Sequence, residues 1–352
     1  MNILILISSL EIGGAEKQAL IDANLLADAN EVYLGYFKEG ALLEKVNTNV
    51  HLLKIEKFGY VKTAIRLRRI IKEKNIRIIH SSLFAAMIIS SIASLIVKVN
   101  VVWHFHSHEF DAATKSTLAF RILSKTPNLK KIFFVNKELI EDYKKRGYKF
   151  PKSMTDVLYN STDFETVPAT KTNDNNIVIG YVGRLISLKR VEMLVELADY
   201  LTKKCITNFE IKIVGDGPER TLLEELTLKS KLNPYIKFFG FRTNIEEIYS
   251  GFDIFILPSK EECLSIALID AGTAGIPSIA FDVGGNNEII LHEKTGYIVN
   301  TKEELFNKVE ILLGNTLIRT EFGNYAKKHC NKLFSKQVRK EKLDIINRAL
   351  IL

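Results

Sequence analysis

Two carboxylates and two cations stand at spacings that could hold a nucleotide sugar. The stretch Pro258-Ser-Lys-Glu-Glu-Cys-Leu-Ser-Ile-Ala-Leu-Ile-Asp270 follows the apolar strand-like run 252–257. A helix opening near Leu264 or Ser265 would turn unpaired backbone N–H groups and the positive end of its dipole toward an anion. Glu262 would then lie on the loop beside that anion, and Asp270, eight residues on, about two turns into the helix. One carboxylate could take a sugar hydroxyl and the other a ribose, with a diphosphate between them. Upstream, Gly183-Arg184-Leu185 closes an apolar run, and Lys189 follows five residues after Arg184. Gly183 permits a sharp turn, so both cations are expected at the start of a helix. Arg offers a planar fork and Lys a compact charge for phosphate oxygens.

A third element is Ile12-Gly13-Gly14-Ala15-Glu16, directly after the first apolar run. Its glycines let backbone approach a ligand, and a helix starting near Ala15 aims N–H groups at anions. The segment lacks Gly-x-Gly-x-x-Gly, which argues against a dinucleotide-binding dehydrogenase. Three histidines, His104, His106 and His108, alternate at the end of another apolar run. Alternate residues share a face only while a strand lasts, and no fourth ligand is evident, so no metal site is expected.

The elements that would position these groups alternate between strand and helix. Apolar runs at 2–7, 31–37, 77–80, 99–105 and 131–135 read as strands, with helical periodicity at 16–27 and 61–74. The chain turns polar between Phe164 and Asn176, which reads as a linker. The pattern then restarts, with strands at 177–182, 210–214, 235–239, 254–257 and 277–281 and a helix at 191–202. Two α/β domains with parallel sheets follow from this pattern. A chain of 352 residues, 47% hydrophobic, is long enough for both.

Pro258-Ser-x-x-Glu-x7-acid, Ala271-Gly272-x-x-Gly275-x-Pro277, Gly284-Gly285-x-x-Glu288-Ile289 and Gly183-Arg184-x4-Lys189 together resemble the retaining glycosyltransferases of GT-B family 4, also called group 1. The usual Glu-Gly-Phe opening is Glu262-Cys263-Leu264 here, Asp270 replaces a Glu longer by about 1.5 Å, and Arg190 follows Lys189 where Gly is usual. The resemblance implies two Rossmann-like domains facing across a cleft. The N-terminal acceptor-side domain would span 1–168 and the C-terminal donor domain 169–335. The segment 336–352 would form a helix crossing back to the first domain.

It also implies the roles. Arg184, Lys189 and the amides near Leu264 and Ser265 would stabilise the leaving diphosphate, with Gly13, Gly14 and Gly183 lining it. Glu262 would hold sugar hydroxyls and Asp270 the ribose, while Phe241-Arg242 would flank the base. His106, with His104 as the alternative, would reach the donor sugar. Asn160-Ser161-Thr162-Asp163 would close the first domain. The implied reaction transfers a hexose from a nucleotide-diphosphate sugar, UDP favoured, to a glycan or lipid-linked acceptor of a bacterial-type surface polysaccharide. Neither cofactor nor metal would be needed, because the two cations do a metal's electrostatic work. A non-catalytic nucleotide-sugar or glycan binder of the same fold and a nucleotide-sugar epimerase are the alternatives.

Net charge bears on partners. The formal charge of +8 concentrates in Arg66–Arg77 and Lys125–Lys152. No zinc-finger or RNP-like pattern accompanies these clusters, so nucleic acid is not the expected partner. An anionic membrane surface is. Three widely spaced cysteines fit a reducing compartment. Without a basic n-region, the first apolar run reads as a buried strand, and no run reaches about 18 apolar residues. The expectation is a cytoplasmic protein, soluble or peripheral at the inner face of the cell membrane, with 85–97 as a buried helix.

Overall fold

The computed structural model describes residues 1–107, 120–162 and 176–351. The chain divides into two compact units, one formed by Met1–Ser161 with Lys336–Leu352 and the other by Thr162–Ser335. His108, Asp163 and all of the expected linker except Asn176 lie outside the described residues.

The first unit runs β1 (Asn2–Ser9), α1 (Gly14–Leu26), β2 (Glu31–Lys38), β3 (Val50–Lys54), α2 (Tyr60–Glu73), β4 (Ile78–Ser82), α3 (Phe84–Ile96), β5 (Asn100–Phe105), β6 (Leu129–Phe134), α4 (Lys137–Lys145) and β7 (Thr155–Val157). Its sheet is parallel, in the order β3-β2-β1-β4-β5-β6-β7. Parallel strands need crossover helices, and these cover both faces of the sheet, so β1 reads as an unbroken apolar run. Ile3, Ile5 and Ile7 pack on one face with Leu20, Leu34 and Val102. Leu4 and Leu6 pack on the other with Ala64, Leu67, Ile79 and Ala86, the two-residue alternation of a strand.

The second unit contains β8 (Ile177–Val182), α5 (Glu192–Lys203), β9 (Phe209–Val214), α6 (Arg220–Lys229), β10 (Ile236–Gly240), α7 (Ile245–Ser250), β11 (Ile254–Leu257), α8 (Ile266–Thr273), β12 (Ser278–Phe281), α9 (Asn286–Ile289), β13 (Gly296–Val299), α10 (Lys302–Gly314) and α11 (Thr316–Phe334). Its parallel sheet has the order β10-β9-β8-β11-β12-β13. Helix α8 packs closely on α11: a Cβ at Gly272 would collide with the Cys330 Sγ atom. The small-residue run Ala271-Gly272 therefore serves packing.

The last helix, α12 (Lys336–Ala349), belongs to the first unit. Leu343 is fully buried in the α1 face of the core. Arg339, 3% exposed, donates to both Asp22 carboxylate oxygens at 2.5 and 2.8 Å and to the Tyr159 carbonyl. Helix α3, which covers all but the last residue of the apolar run 85–97, is largely buried. Among the described residues no helix is long and apolar enough to cross a membrane.

Candidate functional site

In the second unit the expected motifs converge because two loops are stitched together. The chain leaves β8 at Gly183-Arg184 and makes a short 3-10 turn, Ser187–Lys189, before α5 begins at Glu192. The expectation that Arg184 and Lys189 stand at a helix start is thus corrected: both precede the helix, Arg184 on an exposed loop and Lys189 in the turn. The cause is Arg190. It adopts a left-handed conformation (φ 48°), which breaks the helical run. Its guanidinium donates to the carbonyls of Pro258 (2.7 Å) and Ser259 (3.1 Å) and stacks on Phe281 at 4.1 Å. The Lys260 amide donates back to the Leu188 carbonyl at 2.8 Å.

This stitching brings Lys189 to Glu262. Their charged atoms pair at 2.5 Å, and the Ser259 hydroxyl donates to the same carboxylate oxygen at 2.8 Å. Side-chain exposures of 20% and 11% place the pair in a partly desolvated pocket, where charge–charge attraction is stronger than in water. From below, Gly285 donates its amide to the Cys263 carbonyl at 2.6 Å. Gly284 sits at φ +55° against the Glu262 carbonyl, leaving no room for a Cβ. The Gly-Gly motif is therefore a clasp for the Glu262 loop.

Helix α8 starts as its composition predicts. Ser265 is its N-cap, accepting from the Leu268 amide at 3.3 Å, and the dipole end lies three residues beyond Glu262. The position expected for Asp270 needs correction. The helix opens at Ile266, so Asp270 is little more than one turn inside it, and it is 4% exposed. Its neighbours are aromatic and sulfur groups rather than solvent. Burial and then the Asp270 charge raise Tyr249 well above its ordinary range, and the same pair of causes pushes the Cys330 thiol up to about 12. Tyr181 is likewise raised by burial, then by Glu262, and its hydroxyl donates to the Arg184 carbonyl at 3.1 Å. Phe241 and Arg242 are exposed beyond β10, and Arg242 borders a cavity of about 300 Å³ with Phe239 and Asn244.

In the first unit Gly13 caps α1 and Gly14 begins it. The Glu16 carboxylate folds over Gly13 and accepts from Ser9 at 3.2 Å, so the helix end carries an acid of its own. His104 is buried, and His106 lies just beyond β5, its Nε2 3.5 Å from the Ser82 hydroxyl. Burial, reinforced by Arg339 and opposed by an Asn160 hydrogen bond, pushes the His106 imidazole down to about 3. Asn160 and Ser161 are buried, and Ser161 exchanges hydrogen bonds with the Gln18 side chain, both at 2.9 Å. Among the described residues no three His, Cys, Asp or Glu side chains gather as a metal-binding set.

Three residues were not legible as functional from sequence. Arg190 stood where the family pattern has Gly, and only its φ and its contacts reveal the stitch. Nothing local in the sequence singles out Ser259, whose hydroxyl donates to the Glu262 carboxylate. His80 ended an unremarkable strand, and its partners lie far away in the chain.

Comparisons with known proteins identify the family and the fold. Residues 12–166 match the family described as Glycosyltransferase Family 4, and residues 163–329 that described as Glycosyl transferases group 1. The chain is 30% identical over 320 residues to the O-antigen biosynthesis glycosyltransferase WbnH of Escherichia coli, covering 88% of this chain and 89% of that one. It is 26% identical over 364 residues, 98% of both chains, to a Campylobacter jejuni enzyme named as a GalNAc-alpha-(1->4)-GalNAc-alpha-(1->3)-diNAcBac-PP-undecaprenol alpha-1,4-N-acetyl-D-galactosaminyltransferase. In fold it resembles Anabaena Alr3699/HepE, solved in complex with UDP, with a TM-score of 0.86 at 21% identity over 99% of this chain and 100% of that one. With two family models matching end to end, and a 30% identical relative matched over most of both lengths, the chain belongs to the family 4, group 1 glycosyltransferases of the GT-B fold.

Proposed function

We propose that the protein is a retaining, metal-independent glycosyltransferase that moves a hexose from a UDP-sugar to a lipid-linked or glycan acceptor in surface polysaccharide biosynthesis. The observation that carries this reading is the stitched loop pair of the second unit. It holds Lys189 on Glu262 at 2.5 Å and leaves Arg184 exposed, with the N-cap of α8 three residues beyond Glu262. The UDP bound in the Anabaena structure and the undecaprenol-linked acceptor in the Campylobacter enzyme's name support the choice of donor and acceptor.

In this reading Arg184 and Lys189 receive the charge that develops on the leaving diphosphate, with the α8 amides adding a fixed dipole. Glu262, fixed by Ser259 and Lys189, takes donor-sugar hydroxyls. Asp270 is assigned the ribose, and the Phe241-Arg242 loop the base. Gly13, Gly14 and His106 are assigned to the reaction as well. The acceptor hydroxyl attacks the face the diphosphate leaves, and a leaving phosphate oxygen takes its proton. No protein nucleophile is invoked, and configuration is retained.

A surface of the first unit supports a membrane-borne acceptor. Phe58, Val61 and Ile65 are 56%, 60% and 51% exposed at the start of α2, among the exposed cations Lys57, Lys62, Arg66 and Arg69. Apolar tips ringed by Lys and Arg fit an anionic lipid leaflet, where each nearby cation contributes about 1 kcal/mol.

The test is transfer from α-linked UDP-hexoses to an undecaprenyl-diphosphate-linked sugar in the presence of EDTA, with the product's anomeric configuration read by NMR. An α-linked product supports the reading. A β-linked product, or turnover only after Mg²⁺ is restored, refutes the retaining or the metal-independent part respectively.

A further inference from the structure

The first unit buries a chain of polar rings that the mechanism above leaves unused. On β4 the residues facing α12 are Ile78, His80 and Ser82, and on β5 they are Val102, His104 and, just past the strand, His106. The register pairs Ser82 with His104 and His80 with Val102, so each histidine meets its partner diagonally. His80 Nδ1 lies 2.9 Å from His104 Nε2, and His80 Nε2 lies 2.7 Å from Asn347 Oδ1 on α12. All three residues are at most 3% exposed. The His104 ring lies parallel to His106, with centroids 6.4 Å apart and 10° between planes, and packs against Phe133 at 5.3 Å.

Burying three polar side chains is costly unless they are paired. The two contacts of His80 pair His104 with Asn347, while the buried Asn347 Nδ2 makes no hydrogen bond among the described residues, and such a buried network favours one geometry. The proton order follows from the donors. The Asn347 carbonyl oxygen can only accept, so His80 carries its proton on Nε2. A neutral His80 then presents a bare Nδ1, which accepts from His104 Nε2–H. The direction runs from β5 through β4 to the C-terminal helix, and it sets the tilt of the His104 ring against which His106 lies. The ring chain ends at the carboxyl ends of the strands, where open parallel sheets place ligands.

We propose that Asn347 and His80 are positioning residues, which hold His104, and through it His106, in the orientation required for glycosyl transfer. The proposal rests on the assignment of His106 to the reaction. The cation nearest the chain, Arg339, is held by Asp22 on the same face.

The experiment compares Asn347→Ala, His80→Phe and Asn347→Asp with Leu343→Ala in the full-length protein. Leu343 lies one turn from Asn347 and is fully buried without a polar contact. Asn347→Ala and His80→Phe should lower kcat roughly 10- to 100-fold, the cost of misplacing a reacting group, with the donor KM changed by less than about twofold. Asn347→Asp keeps the accepting oxygen and should restore most of that loss. Leu343→Ala should lower the Tm without lowering kcat below the transition. Histidine side-chain ¹⁵N spectra should show Nε2–H tautomers for His80 and His104, with His104 and His106 both shifted in Asn347→Ala. Unchanged kcat in Asn347→Ala, or an equal kcat loss in Leu343→Ala, overturns the proposal. If His106→Ala retains full turnover, the assignment of His106 fails instead, while the ¹⁵N spectra still report whether the chain orients these rings.

Discussion

The two units use their parallel sheets in opposite ways. In the second, the candidate donor residues sit on loops just past the strand ends, and Lys189 and Ser259, which pair with the Glu262 carboxylate, come from two short segments, Ser187–Arg190 and Pro258–Ser259. In the first, the buried polar groups are on the strands, the first helix and the last helix, paired across as many as 317 residues of chain. Loops stitched by a few contacts present charge to a ligand, whereas side chains locked within a sheet can only hold an orientation. Substitutions of Arg184 and Glu262 should therefore strike turnover with little effect on stability, and substitutions in the first unit should strike stability or geometry.

The largest effect is expected in the first unit. Asp22→Ala would leave the Arg339 guanidinium buried without its carboxylate, at a cost of about 3–5 kcal/mol, measurable as a lower urea midpoint. Next come Arg184→Ala and Glu262→Ala, each expected to lower kcat by roughly 10²–10³-fold while the Tm stays within a few degrees. A large Tm loss in either would blur the contrast between units. Gly284→Ala must carry a side chain at φ +55° against the Glu262 carbonyl, and should cost about 1–3 kcal/mol and reduce turnover with it.

Acid sharpens the comparison further. Burial lowers His80, His104 and His106 below the ordinary 6.5. The unfolded chain binds protons on these rings near pH 6.5, and the folded chain binds them only at lower pH. Stability is therefore complete above about pH 6.5 and declines as pH falls through the lowered values, which for His106 reach about 3, by up to about 1.4 kcal/mol per pH unit for each ring. Denaturant midpoints at pH 7.5 and 5.5 should show the drop, and His80→Gln should make it shallower. The smallest effect concerns the α2 surface. Val61→Ser with Ile65→Ser should weaken sedimentation with phosphatidylglycerol vesicles several-fold and leave the Tm unaltered. Equal binding to neutral and anionic vesicles would remove the membrane from the account.

Much of this was legible in the sequence, for physical reasons. Buried parallel strands are continuous apolar runs, so β8 and β11 were located to the residue. Three strands that the periodicity did not reveal, β3, β7 and β13, all lie at sheet edges, where they are short; β3 is mostly exposed and β7 half-buried. The donor motifs were legible because their spacing is local. The Lys189–Glu262 pair, the Arg190 stitch and the buried setting of Asp270 depend on contacts across 73, 68 and about 60 residues, which no local pattern encodes. His80 was invisible for the same reason.

The most direct test of the donor-loop assignment is titration calorimetry with UDP, without metal, on the native protein and on Arg184→Ala. The account expects saturable binding by the native protein and a loss of at least tenfold in affinity for the variant. Native protein that binds none of UDP, GDP and ADP, or a variant that binds UDP as tightly as the native chain, would contradict it.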